Sequence, residues 1–230
     1  MSQENELYRP SLWVRFRRWA MRSIFWFVFH ALFKVKLEGF ENIPKNGAYI
    51  IAYNHVSYFE PPFILTFWPN APEALAGADV WHRPGQGEMV KLYGALPVKR
   101  GEYDRTVLEK MDRVLKAGYP LAISPEGGRS NTPGMRRAYQ GVAYLIDRVR
   151  VPVVPVAVLG SRDDSLLRAL KGDRHSFYMR IGKPFDLPPI EGSGPARRDA
   201  RQRNADEVML QIGKMLPEEY HGVYAGKISK

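Results

Sequence analysis

The chain of 230 residues contains no cysteine. That excludes disulfide stapling, a thiol nucleophile and any zinc site built on thiolates, while a reducing compartment is permitted but not required. No apolar run approaches the roughly 20 residues needed to cross a bilayer. No small-residue cleavage site follows the N-terminal apolar block, so no cleavable signal peptide is expected. Internal repeats and low-complexity tracts are absent too. What is present is an ordinary globular balance of 45% apolar and 25% charged residues, on a chain long enough for one domain with a substantial core. The formal charge of +10 favours anionic partners: nucleic acid, anionic lipid or phosphate-bearing molecules. Charge alone does not choose among them.

The aromatics are concentrated near the N-terminus. Ser11 is placed to cap a helix running to about Phe33. Its first half interleaves Arg15, Arg17, Arg18 and Arg22 with Leu12, Trp13, Phe16 and Trp19; its second half carries Phe25, Trp26, Phe27, Phe29 and Phe33. Large aromatics with arginine on a terminal helix read as a segment lying in a membrane interface, the arginines near anionic head groups. The alternative is a helix packed on the core with a solvated arginine face. No base-stacking module accompanies these residues, so nucleic acid is not expected as a partner. The segment 1–34 is accordingly read as an amphipathic, membrane-associating helix and 35–230 as the remaining domain.

Beyond it, short apolar runs alternate with helical patterns, which predicts an α/β fold: a single domain with a mixed sheet flanked by helices. The run Ala48–Tyr53 reads as a buried strand, and Pro61-Pro62 suits the first turn of a helix. Between them stands Asn54-His55-Val56-Ser57-Tyr58-Phe59-Glu60. A carboxylate five residues after the histidine can fold back over the helix start, accept from the imidazole and leave the other ring nitrogen free to take a proton. Further on, Gly94-Ala95-Leu96-Pro97-Val98-Lys99-Arg100-Gly101 reads as a strand ending in two cations, suited to phosphate. Asp104–Ala117 has helical spacing, and Tyr119–Ile123 reads as a second buried strand. That strand delivers Pro125-Glu126-Gly127-Gly128-Arg129-Ser130, where paired glycines expose backbone N–H groups and Arg129 and Ser130 add donors. Asn131–Tyr139 is a basic loop containing Arg136 and Arg137, suited either to phosphate or to solvent. Gln140–Val149 reads as a helix. Val151–Val158 is a β-branched strand in which Pro155 suggests an edge or irregular strand bordering a pocket; it is either structural or an acyl-chain wall. Ser161–Lys171 and Ala196–Met215 read as helices, and Phe177–Ile181 as a strand.

In this order the motifs resemble those of the glycerolipid acyltransferase family, whose best-known members are the lysophosphatidic acid acyltransferases. Asn54-His55 with Glu60 is similar to the family's H-x-x-x-x-D motif, with Glu for the usual Asp. Arg100 matches the arginine ending the second motif. Pro125-Glu126-Gly127-Gly128-Arg129-Ser130 resembles Pro-Glu-Gly-Thr-Arg-Ser, with Gly128 for Thr, and Val151–Val158 resembles the fourth, Val-Pro-containing strand. The resemblance implies acyl transfer from acyl-CoA or acyl-ACP to the hydroxyl of a lysophospholipid such as 1-acyl-glycerol-3-phosphate, in phospholipid biosynthesis. In that scheme His55 is the general base and Glu60 its support. Arg100, Glu126, Gly127, Gly128, Arg129 and Ser130 form the substrate site, with Glu126 ordering the loop or holding an acceptor hydroxyl. It implies no cofactor beyond the thioester co-substrate and no metal, each motif holding a single histidine at most. It also implies an anionic membrane surface as partner and a membrane-associated location on the cytoplasmic face. A non-catalytic lipid-binding protein of the same fold, or a different lyso- or amino-lipid acceptor, are the alternatives that the Glu60 and Gly128 departures leave open.

Overall fold

The computed structural model describes residues 8–99, 104–130, 132 and 134–228. Helix α1 (Leu12–Leu32) leads into strand β1 (Lys34–Glu38), and β2 (Ile50–Tyr53) is followed by α2 (Glu60–Phe67). Next come β3 (Glu73–Gly77), α3 (Gln86–Tyr93), β4 (Leu96–Val98), α4 (Arg105–Lys116) and β5 (Leu121–Ile123). The remainder is α5 (Gln140–Val149), β6 (Val153–Leu159), α6 (Ser165–Leu170), β7 (Ser176–Ile181) and α7 (Gly194–Gly213). The strands form one seven-stranded mixed sheet in the order β1-β7-β6-β2-β5-β3-β4, in which only the β6–β7 pair is antiparallel.

Strand β2 is buried along its whole length because both faces of the sheet are covered. Ile50 and Ala52 point into a core built with α4, α5 and α7. Ile51 and Tyr53 point the other way, into a core with α1 and α2. Since β2, β5 and β6 are mutually parallel neighbours, the loops after all three open at one edge of the sheet. That edge is where functional groups gather in open α/β sheets.

Two local expectations need correction. Strand β6, read as an edge or pocket-wall strand because of Pro155, lies inside the sheet between β7 and β2. The proline is tolerated because β7 ends opposite it. The regular β6–β7 ladder starts at Val156↔Ile181, and Pro155 itself only accepts, from Gly182 N–H at 2.8 Å. The second correction concerns α1. Ser11 caps it as expected, accepting from Val14 N–H at 3.3 Å. Arg18 and Arg22, however, face inward rather than toward a lipid head group. Arg18 makes a bidentate pair with the buried Glu73 of β3 at 2.5 and 2.7 Å and donates to Tyr93 O at 2.9 Å. Arg22 donates to the carbonyls of Thr66 and Trp68 at the end of α2. Together with Phe29, packed edge-on to Phe63 at 5.0 Å between ring centroids, they fix α1 to the domain. Burying that one ring contributes about 1.5–3 kcal/mol.

The outer face of α1 leaves Leu12, Trp13, Phe16, Trp19, Ile24, Trp26 and Phe27 exposed. Among the described residues no helix is long and apolar enough to cross a membrane.

Removing one partner of a buried ion pair strands the other charge. Arg18→Met is therefore expected to destabilise the fold by about 3–5 kcal/mol. Adding Glu73→Leu should return most of that loss. Urea unfolding of the single and double variants measures both, and equal stability of the two would contradict the pairing.

Candidate active site

The site forms where β2 ends. Asn54, fully buried, uses its side-chain amide as an extra rung between strands. Its Nδ2 donates to Val158 O at 3.0 Å, and Val158 N–H donates to its Oδ1 at 2.8 Å. This extends the β2–β6 contact by one residue and fixes the backbone just before His55. The next peptide is gripped from the β5 side. His55 N–H donates to Glu126 Oε1 at 2.8 Å, and His55 O accepts from Ser130 N–H at 2.7 Å.

The imidazole then meets Glu60, the first residue of α2, at 2.9 Å between Nδ1 and Oε2. Pro61 and Pro62 follow at no cost in hydrogen bonds, since first-turn N–H groups have no partner within a helix. The Glu60 carboxylate is fully buried and otherwise satisfied: Ser57 N–H donates to both its oxygens at 2.9 Å, and Ser161 Oγ donates to Oε1. A carboxylate held near a helix N-terminus is also favoured by the helix dipole. The longer side chain is thus accommodated by the turn before α2 and by a hydroxyl from the loop after β6. With Nδ1–H given to Glu60, the Nε2 lone pair of His55 is free to take a proton. The His55 side chain is 16% exposed and lines a large cavity.

That cavity has a volume of about 1530 Å³, beyond the roughly 300–1,000 Å³ typical of small-molecule sites. Its walls are of two kinds. Met21, Leu65, Leu75, Met89 and Leu108 make an apolar part, while Arg129, Arg136, Arg137 and Arg201 make a basic one. Tyr53 lines it beside His55, with 6.0 Å between ring centroids. Burial raises the Tyr53 phenol above its ordinary range, and the charges of Glu60 and Glu126 add to the shift, so the hydroxyl keeps its proton.

The residues expected to contact substrate divide. Gly127, Gly128 and Arg129 line the cavity. Gly127 has φ of +64°, and a Cβ there would meet the Tyr139 ring at 2.5 Å, so both backbone and space require glycine. Glu126 is different. It is fully buried, and its two oxygens accept from the backbone N–H groups of His55 and Arg136, the latter at 2.7 Å. Of the two roles open to it, ordering the loop is the one this geometry performs. Ser130 borders the cavity, but its Oγ sits between two loop carbonyls to which its one proton can go, Gly134 O at 2.6 Å and Thr132 O at 2.8 Å, so it too holds the loop. Arg100 lies outside the described residues. The strand before it, β4, is the outermost of the sheet on that side and is separated from β2 by β5 and β3, so β4 does not neighbour the strand that carries His55. Ser161, Tyr58 and Asp163 escaped the sequence reading. The one signal for them was their place just after a strand or beside His55, and it becomes useful only once the strand order is known.

Fold and site together define an α/β protein with a histidine–carboxylate pair facing a cavity that is part apolar and part cationic. A family model for acyltransferases matches residues 34–159, more than half of the chain, and the protein belongs to that family. The chain is 25% identical over 146 residues to the chloroplastic 1-acyl-sn-glycerol-3-phosphate acyltransferase LPAT1 of Arabidopsis thaliana, covering 62% of this chain and 39% of that one. It is 26% identical over 148 residues to the 1-acyl-sn-glycerol-3-phosphate acyltransferase of Pseudomonas aeruginosa, covering 63% and 54%. The chain therefore spans about two fifths to just over half the length of these relatives. The crystal structure of the 1-acyl-sn-glycerophosphate (LPA) acyltransferase PlsC from Thermotoga maritima has the same fold, with a TM-score of 0.57 at 24% identity, covering 84% of this chain and 79% of that one.

Burial lifts the Glu126 carboxyl from 4.5 to about 7, against the two backbone N–H groups that pull it down. A carboxyl whose folded value is raised stabilises the fold most when protonated. That contribution is complete below the unfolded value and is lost as pH rises through about 7. Relative to Glu126→Gln, the native protein should lose stability between pH of about 4.5 and about 7 and run parallel to the variant above that. Chemical unfolding across this range tests it; a constant difference would place the titration elsewhere.

Proposed function

We propose that the protein transfers a fatty acyl group from acyl-CoA or acyl carrier protein to the hydroxyl of a lysophospholipid such as 1-acyl-glycerol-3-phosphate. The observation that carries this reading is the His55–Glu60 pair, whose histidine lines a cavity with one apolar and one cationic part. An acyl chain fits the first part, and phosphate-bearing molecules fit the second.

In the proposed reaction the acceptor hydroxyl gives its proton to His55 Nε2 as its oxygen attacks the thioester carbonyl carbon. The Glu60 carboxylate steadies the imidazolium, as the aspartate does in a Ser-His-Asp triad. The carbonyl oxygen takes up negative charge and needs a donor. Gly127 N–H is already given to Ser124 O at 3.1 Å, so Gly128 N–H is the choice from this pair. Collapse of the tetrahedral intermediate re-forms the carbonyl, breaks the carbon–sulfur bond and returns the proton from His55 to the departing thiolate. No enzyme nucleophile is required, because the acceptor oxygen attacks directly. Arg129, with Arg100, is assigned the acceptor phosphate.

The exposed apolar face of α1 is assigned to a membrane surface, from which the acceptor would enter. With Arg18 and Arg22 occupied internally, it is the apolar side chains that would carry binding, with the exposed Arg15 adding to it on anionic lipid. A cytosolic thioester donor puts this surface on the cytoplasmic face.

His55→Ala should lower the rate of acyl transfer by at least about 10²–10⁴-fold, and Glu60→Gln should slow it in the same direction while the protein stays folded. Thiol release from acyl-coenzyme A, with and without lysophosphatidic acid, follows both, and an active His55→Ala protein would refute the base assignment. For the membrane, the triple substitution Trp13→Ser, Phe16→Ser, Trp19→Ser should abolish flotation with anionic vesicles. Undiminished flotation would remove α1 from the interface.

A further inference from the structure

Arg129 already has partners within the chain. Its Nη1 donates to Asp163 Oδ2, and its Nη2 donates to Tyr58 Oη at 2.7 Å. The guanidinium also lies over the Tyr58 ring, 3.6 Å from the centroid. Asp163 accepts from Tyr58 N–H at 3.3 Å as well, so one carboxylate ties both members of the stack. Asp163 belongs to the loop after β6 whose Ser161 supports Glu60. The arginine that shares a cavity with His55 is therefore paired with a carboxylate of the chain itself.

A phosphate at Arg129 would compete with Asp163 for Nη1 and would be repelled by it at close range. Asp163 is about half exposed, so the pair is weak enough for a ligand to open. We propose that Asp163 is an internal competitor for the anionic group of the acceptor and sets how much negative charge an acceptor must bring to engage Arg129. The proposal rests on the acyltransferase reading above. A ligand that binds only the open form has its apparent affinity reduced by the fraction of open form. An acceptor without negative charge leaves Asp163 in place and escapes this penalty.

Asp163→Asn tests the idea, since asparagine keeps the size and can still accept from Tyr58 N–H. With 1-acyl-glycerol-3-phosphate as acceptor, the variant should show a KM lower by about three- to fivefold, the range open to a half-exposed ion pair, with kcat retained. With uncharged monoacylglycerol, KM should not move. Calorimetric titration with inorganic phosphate should show tighter binding to Asp163→Asn than to the native protein, a gain that Arg129→Ala abolishes. A raised KM for the phosphate acceptor, an equal change for both acceptors, or unaltered phosphate binding would each overturn the proposal. A native protein that transfers no acyl group to any acceptor refutes the catalytic reading instead, and the phosphate titration still decides the role of Asp163.

Discussion

The structure depends on how one residue is held. His55 follows a central strand, and three elements fix it, two of them distant in sequence: Glu126 and Ser130 after β5 hold its backbone, Val158 of β6 pairs with the side chain of the preceding Asn54, and the nearby Glu60 at the start of α2 holds its ring. Each of these contacts is short and largely shielded from water. Buried polar groups are costly unless every one is paired, and here the pairing is the means by which the ring is aimed. A glutamate serves in place of an aspartate because the turn before α2 offers a backbone N–H and the loop after β6 offers a hydroxyl.

The same logic separates holding from binding. Glu126 and Ser130 stand in the motif with the glycines and Arg129, yet their polar atoms point into the loop. Gly127, Gly128 and Arg129 border the cavity. A five-residue stretch thus anchors itself at both ends and borders the cavity between them. Helix α1 divides its labour in a comparable way. Arg18 and Arg22 secure it to β3 and the end of α2, and the tryptophans and phenylalanines on the opposite side remain uncovered. An amphipathic pattern with arginine had suggested charge outward; instead, part of the charge is internal and the apolar surface faces out.

Signals that act over a few residues were legible. The Ser11 cap follows from a side chain meeting nearby backbone, and the limits of α4 and α5 follow, to within a residue or so, from the spacing of their apolar positions. The His55–Glu60 contact, which spans the start of one helix, was legible too. Pro155 misled because a missing N–H matters only on the side where a partner strand runs, and β7 stops short of it. Ser161 and Asp163 gave no sign beyond their place after a strand, since their partners lie about a hundred and about thirty residues away or more.

By itself the sequence determined the alternation of strands and helices, the single-domain α/β class, and the histidine with a carboxylate five residues beyond, because these rest on periodicity, caps and short-range reach. Tertiary structure alone decided that β6 and β5 flank β2, and therefore which side chains from remote loops converge on His55. Strand order is a choice among non-local pairings whose energies come from packing across the whole sheet, and no window of residues contains them.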